Sequence, residues 1–323
     1  MTVPTATFQT FQSIGNREDL EDFIYNIAPV DTPFMSGIGR KTAKAVFHEW
    51  QTDTIQSAIA TNAAIEGDTP GNTSVVPTVR LGNYAQIATY AFQISGTQSA
   101  ITTAGRKDEM AYQLVLYGKR LKRDMEAQMT QNKASTAGGA ATARQSGSLE
   151  SWLSSNWTSL GSGGTPTSTG FLSGIVQAPT DNSLQGTITE AGVKAIIRAC
   201  WTAGGNPRTI MAGPFNKTKI SGFSGILTNN IFQKAGGQAT IIAAADAYVS
   251  DYGDHQVVPN RFNRDRTVCV LDMDYWDVAY LRPFQQFPLA KVGDSDQRQM
   301  LAEYTLVSRN QAASGKVADL TTS

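Results

Sequence analysis

The chain has 323 residues, 41% hydrophobic and 17% charged, which is enough apolar material for a real core and, at ~150 residues per domain, about two domains. Lys+Arg and Asp+Glu both total 27, so the formal net charge is zero; a protein built chiefly to grip phosphate backbones, which needs a clustered excess of cations, is excluded. The N-terminal stretch MTVPTATFQT is no secretory signal, and no apolar run approaches the ~20 residues that span a bilayer, so the chain reads as soluble and intracellular at synthesis, with no membrane partner.

Residues 1–15 are polar and aperiodic and predict an extended arm. In NREDLEDFIYNI, Asn16 is a candidate N-cap and Glu18 and Asp19 suit the first turn. Leu20, Phe23, Ile24 and Ile27 recur at i, i+3, i+4, i+7, the pattern of a short amphipathic helix. Pro29 ends it, and Pro29 and Pro33 together predict a stiff, extended elbow, after which Gly37 and Gly39 let the chain turn. A β-rich stretch at about 44–54 and another from Val75 through VRLGNYAQIATYAFQIS flank a polar, small-residue segment. They predict a large hairpin over roughly 40–96, with strands of about ten residues reaching on the order of 30 Å. A two-stranded ribbon is marginal in water alone, so this one is expected to rest on another chain.

The strongest helix signal covers 104–133. Met110, Leu114, Tyr117, Leu121, Met125 and Met129 form one apolar stripe, and Lys119, Arg120, Lys122, Arg123 and Glu126 are placed on the other face. The basic run KRLKRD reads as a solvated or ion-paired face; nucleic-acid contact is the alternative that the zero net charge weakens. From 134 to 187 the composition turns to Gly, Ser and Thr, predicting loops around a short amphipathic turn, SLESWLSSNW, anchored by Trp152 and Trp157. GSGG at 161–164 lacks the strand, lysine and helix of a phosphate-binding loop.

Residues 188–262 predict a compact α/β unit. In its first helix Val193, Ile196, Ile197, Cys200 and Trp201 face a core and Gly204 is the C-cap. RTIMAG follows as a strand, PFNKTKISGF as a helix opened by Pro214, and the segment to about 260 as a hairpin. The tail, TVCVLDMDYWDVAYL and RQMLAEYTLVSRN, predicts antiparallel strands.

Candidate chemistry is sparse. The two histidines, His48 and His255, lie far apart in the chain. On a strand Glu49 points away from His48 while Trp50 shares its face, which suits packing, and His255 reads as a surface turn. Asp272 and Asp274 lie on one strand face, a conceivable metal pair, but without further ligands they read as solvated acids. Cys200 and Cys269 have no ligand cluster around them. Buried free thiols are expected, with a disulfide the alternative.

The ordered set TPFMSGIG, HEWQTD, NAAIEGD, GNYAQI, SGTQ, KRDMEAQM and ESWLSSN, closed by YWDVAYLRPFQQFPLAKVGDSDQRQMLAEYTLVSRNQAASG, resembles the major capsid proteins of tailed bacteriophages of the SU10-like group over nearly the whole chain. The resemblance implies an α+β fold of the Hong Kong 97 type. It divides the chain into an N-terminal arm (1–38), an E-loop (39–97), a peripheral domain with a long spine helix (98–184), an axial domain (185–262) and return strands of the peripheral domain (263–323). Met1 leads directly into the arm, so a separate scaffold or an already mature chain is expected.

The function so implied is a virion structural protein rather than an enzyme, with no cofactor and no catalytic or metal residues. It would self-assemble into hexamers and pentamers of an icosahedral head in the host bacterial cytoplasm. Scaffold, portal and cement proteins are its implied partners, with double-stranded DNA enclosed without sequence-specific binding. Pro29, Pro33, Arg40, Lys41, Lys44, Glu66, Asp68 and Arg80 are the candidate assembly-interface residues. In some relatives an E-loop lysine cross-links to a neighbour's asparagine. Lys41 and Lys44 are the candidates for that role, but the sequence gives no sign of the desolvated acid such chemistry needs, so non-covalent assembly is expected. A fibre or decoration subunit, or a metal-dependent enzyme using the DMDYWD acids, is the alternative.

Overall fold

A computed structural model describes residues 31–67, 69, 71, 72, 74–103, 105–223 and 247–323. The predicted arm and helix of residues 1–28, Pro29 and Asp68 lie outside the described residues.

The first element is a helix, α1 (Pro33–Gly37). This corrects the extended elbow: Pro33 opens the helix, where its fixed φ fits the first turn and its missing N–H costs nothing. The chain continues through β1 (Gly39–Thr42), β2 (Phe47–Thr52), β3 (Val79–Tyr84), β4 (Gln86–Ser95), α2 (Gly96–Ala100) and α3 (Glu109–Met129). Asp108 caps α3, its side chain accepting from the Met110 N–H. At 1.5 Å per residue its 21 residues make a helix about 30 Å long, shorter than the predicted span. Next come α4 (Leu149–Trp152), β5 (Trp157–Ser159), the small hairpin β6 (Gly170–Leu172) and β7 (Ile175–Gln177), and α5 (Glu190–Thr202). Then follow β8 (Thr209–Ala212), α6 (Pro214–Ser221), β9 (Ala247–Ser250), β10 (Gly253–Pro259), β11 (Val268–Leu271), β12 (Trp276–Pro288), β13 (Ser295–Ser308) and β14 (Gly315–Ala318).

These strands form two principal sheets. One has the order β1-β12-β13-β4; its long antiparallel β12–β13 pair is the predicted tail pairing, and β1 joins its edge in parallel. The other has the order β5-β14-β11-β8-β10-β9. It takes β8, β9 and β10 from the span 185–262 and β5, β11 and β14 from outside it.

The central strands β14, β11 and β8 of that six-stranded sheet are buried on both faces, and the alternation of side chains along a strand explains how. Ile210, Ala212, Val268 and Val270 point into one core with Val193, Ile196, Ile197 and Cys200 of α5. Met211, Cys269 and Leu271 point into another, shared with Phe34 of α1, Leu121, Met125 and Met129 of α3, and Trp152 and Trp276. Gly204, at φ +90°, follows α5 as the left-handed terminator predicted for it. Trp201, however, is 56% exposed and lies tilted against Tyr252, ring centroids 5.3 Å apart, rather than entering the core. The apolar stripe of α5 is centred on Ile197 and Cys200, and Trp201 falls on its edge.

Two long-range polar clamps join these layers. Glu126, expected on the outer face of α3, is fully buried: its carboxylate accepts the Phe34 and Met35 N–H groups at 2.8 Å each and Asn260 Nδ2 at 2.7 Å. Burial pushes its pKa up, against the pull of those three hydrogen bonds. The start of α1, with no side-chain cap of its own, is thus closed by a carboxylate more than ninety residues away. The second clamp is the charge network of α4 and β14. Arg264 bonds Glu150 (3.0 Å) and Asp181, Arg266 bonds Asp319 (3.2 Å), and the buried Lys316 ammonium donates to the Glu150 carbonyl at 2.7 Å.

Candidate assembly surfaces

The predicted hairpin is real but smaller than expected. β2 and β3 pair antiparallel from Phe47↔Tyr84 to Thr52↔Val79, six residues each. β4 leaves the ribbon to pair with β13 instead. The break is at buried Ala85, whose N–H bonds the Val46 carbonyl at 2.7 Å and closes the ribbon at its base.

That base is held firmly. Asn83 is fully buried; its Nδ2 donates to Ser146 Oγ (3.1 Å), the Gly147 carbonyl (3.1 Å) and the Leu306 carbonyl (2.8 Å), and its Oδ1 accepts from the Gly147 N–H (2.9 Å). Trp50 lies 5.4 Å from Trp152, which stacks on Phe171, and His48 packs on Trp50 at 5.9 Å as expected. Gly82 leaves room for the Phe47 ring, which a Cβ there would meet at 2.5 Å and force to shift.

Beyond the ribbon the chain changes character. Every described residue from 53 to 80 is exposed, and none from 53 to 78 lies in a helix or strand. Five of those from 53 to 78 are large and apolar: Ile55 (97% exposed), Ile59, Ile65 (80%), Val75 (90%) and Val76. These five apolar side chains are left in water by the described residues, and such exposure marks an interaction surface.

The candidate interface residues are scattered over these parts. Pro33 opens α1, and Arg40 and Lys44 are exposed near β1. Lys41 is not on the tongue; its ammonium sits 3.0 Å from Asp277 Oδ2 of β12. Asp277 also takes a fork from Arg309, at 2.6 and 2.8 Å. Burial pushes the Asp277 carboxyl up, but the bonds from Arg309 and Lys41 outweigh it and hold the group below the usual carboxylate range. Arg80 is paired within the ribbon to Glu49, its Nε donating at 2.7 Å. Glu66 is exposed at a turn in the tongue. Among the described candidates, Glu66 and Arg80 therefore lie on the tongue or its root.

Other chemical candidates resolve as structure. His255 is buried rather than on a surface turn: its Nδ1 lies 2.6 Å from the Pro207 carbonyl and its Nε2 2.6 Å from Ser250 Oγ. Asp272 is buried too, accepting the Asn206 and Asp274 N–H groups and so closing a 3₁₀ turn at Met273–Tyr275. Cys200 and Cys269 are free, buried thiols; burial lifts Cys200 to about 12 and Cys269 higher still. A cavity of about 510 Å³ between β4, α2 and α3 is lined by Phe92, Ile94, Arg106, Glu109, Gln113 and Tyr117, with Arg106 and Glu109 paired to each other. Among the described residues no three His, Cys, Asp or Glu side chains are grouped to hold a metal, and no helix is long and apolar enough to cross a membrane.

This architecture is similar to that of known proteins. The profile of the SU10 major capsid protein family matches residues 3–321. The chain belongs to that family. Over 129 residues it is 32% identical to the major capsid protein of Escherichia phage Phieco32; that match takes in 40% of this chain and 37% of the relative's length. Among solved structures, the capsid asymmetric unit of cyanophage A-1(L) aligns over 98% of this chain and 99% of its own, with a TM-score of 0.62 and 15% identity. The capsid of a native GTA particle aligns over 97% and 98%, at 0.64 and 10%. A Mycobacterium phage Adephagia chain aligns over 95% and 96%, at 0.59 and 10%. The fold is the α+β, Hong Kong 97-type fold of phage capsid proteins, as the resemblance implied. The family is one of structural capsid subunits.

Proposed function

We propose that this chain is the shell-forming subunit of a tailed-phage head. Copies assemble as hexamers and pentamers that enclose double-stranded DNA, and the tongue at 53–78 is laid over a neighbouring copy. The observation that carries this reading is the tongue itself: Ile55, Ile59, Ile65, Val75 and Val76 are bare on a ribbon whose root is rigidly clamped. The named parts map as arm 1–38, E-loop 39–97, peripheral domain 98–184 with α3 as its spine, axial domain 185–262 and return strands 263–323. Within the E-loop span, the segment that projects is 47–84.

The subunit acts as a building block and not as an enzyme, and assembles in the host cytoplasm. Scaffold, portal and cement proteins are its expected partners, and DNA is contained rather than read, consistent with the zero net charge. Assembly is non-covalent. Attack by Lys41 on a neighbour's amide would need a base to take the ammonium proton. The nearest carboxylate is Asp277, which is held below the usual range and is a poor acceptor.

Negative-stain imaging of the purified protein under assembly conditions tests the reading. Closed shells are expected, whereas trimers or rods would favour a fibre subunit. Boiled in SDS, the shells should run as one band near the 34.7 kDa of the chain. A ladder of multiples that survives reducing agent would overturn the non-covalent account.

A further inference from the structure

The outward face of α3 is left open by the rest of the described chain. On the side away from Leu121 and Met125 it carries Tyr112, Val115, Leu116, Lys119, Arg120 and Arg123. Val115 is 58% exposed although apolar. Arg120 lies over the Tyr90 ring at 4.3 Å, and Lys122 is 6.0 Å from Phe284. No carboxylate among the described residues pairs with Lys119 or Arg123. The surface is therefore a short apolar strip edged with unneutralised cations.

One segment of this chain has the complementary pattern. Residues 16–27, NREDLEDFIYNI, carry Glu18, Asp19, Glu21 and Asp22 against the single cation Arg17, around the apolar stripe Leu20, Phe23, Ile24 and Ile27. We propose that this segment docks as an amphipathic helix on the outward face of α3 of its own chain. Its apolar stripe would cover Val115 and Leu116, with its acids beside Lys119 and Arg123.

The position of α1 supports docking within one chain. The Phe34 and Met35 N–H groups are fixed on Glu126, and Val115, Lys119, Lys122 and Glu126 recur at four, three and four residues, which is one stripe of a helix. The chain therefore enters the described structure on the same side of α3, one end along from the open strip. Extended, the few residues from 28 to 33 reach about 17 Å. Ten residues of α3, from 126 back to 116, span about 15 Å. From there the segment would turn back along α3, antiparallel to it, so that Ile27 lies near Leu116 and the acids near Lys119 and Arg123, leaving residues 1–15 for contacts elsewhere. Docking in this way does not depend on shell formation, so it can be read on unassembled protein.

The test is zero-length carbodiimide coupling of the full, unassembled chain, mixed equally from ¹⁴N- and ¹⁵N-labelled protein and mapped by mass spectrometry. Amide bonds from Glu18, Asp19, Glu21 or Asp22 to Lys119 or Lys122 within a single isotope are expected. Mixed-isotope bonds would place the segment on a second copy and overturn the assignment; absence of these bonds would overturn docking itself. In parallel, Lys119→Glu with Arg123→Glu should cut amide-exchange protection of residues 16–27 by roughly tenfold or more without lowering Tm. Adding Glu18→Lys and Asp22→Lys should restore it, and failure of that rescue counts against the proposal. If residues 16–27 are unprotected in the unaltered chain and the double variant instead loses retention of duplex DNA, the face is a nucleic-acid surface and the proposal falls.

Discussion

β11 and the tongue between β2 and β3 are built from similar residues and end in opposite surroundings. All four residues of β11, Val-Cys-Val-Leu, are buried, Val268 and Val270 in one core and Cys269 and Leu271 in the other. Ile55, Ile65 and Val75 are at least 80% exposed. β-Branched apolar residues cost free energy in water wherever they are left there. In β11 the cost is relieved inside the chain; on the tongue no described residue relieves it. Under the proposed reading, one region carries the stability of the subunit and the other its association. Substitutions in the two should separate folding from assembly.

The largest effect on folding is expected where the two sheets and α1 meet. Trp276 is fully buried, packs edge-on against Phe34 at 6.3 Å and donates its Nε1–H to Ser314 Oγ at 3.1 Å. Trp276→Ala should destabilise the unassembled subunit by ~3–5 kcal/mol, from the cavity left behind. Urea unfolding followed by circular dichroism measures it. A loss below ~1 kcal/mol would mean that this junction is not the centre of the fold.

The ribbon's root should come next. Asn83→Ala removes one side chain that satisfies four backbone or side-chain partners in β13 and the 146–147 segment. Leaving those buried groups unpaired costs about 1–3 kcal/mol. Amide exchange at β2 and β3 should rise more than at β11. Uniform loosening of both would show that the ribbon is no separate unit but part of the core.

These clamps also show where a sequence is legible and where it is not. α5 could be read because its signals are local: Thr189 accepting the Gly192 N–H at one end, Gly204 at the other, and a stripe between. Glu126 could not, because it sits among KRLKRD and its burial is created by N–H groups at residues 34 and 35 and by Asn260, all distant in the chain. His255 was hidden in the same way, its partner being the Pro207 carbonyl. Pro33 was ambiguous in itself, since a proline that ends one helix can open the next. The exposed tongue was legible in part: its polar, small-residue composition was plain, but the shortness of its ribbon was not, because β3 and β4 form one unbroken strand pattern that only Ala85 divides.

A smaller effect is expected from pH. Burial pushes the pKa of His255 below its ordinary 6.5, against the upward pull of the Pro207 carbonyl and Asp254. The unfolded chain then binds the proton more readily than the folded one. The histidine's contribution is full above about 6.5 and is lost as the pH falls through the window beneath it. His48 is lowered in the same sense, by burial and by Lys41. Asp277 acts in a separate, more acid window, below its ordinary 3.8, where its bonds to Arg309 and Lys41 are lost on protonation. Unfolding free energy measured from pH 8 to 5 should therefore decline, and His255→Asn should flatten that slope without removing it. An unchanged slope would assign the first window to His48 alone.

The smallest effect on folding is expected on the tongue, together with the clearest effect on association. Ile55→Ser combined with Val75→Ser removes two side chains that are 97% and 90% exposed, so unfolding free energy of the subunit should stay within ~0.5 kcal/mol of the parent. If a neighbouring copy covers both, each loses about 1.5 kcal/mol or more of burial, and the concentration needed for assembly should rise on the order of a hundredfold. Light scattering across a dilution series, alongside thermal unfolding of the same unassembled preparations, reads both quantities. A variant that unfolds several degrees earlier would place the tongue against its own chain. A variant that assembles at the parent's concentration would leave the bare isoleucines and valines unexplained by any neighbour, and the division between a folding region and an associating one would fail at the place where it is drawn most sharply.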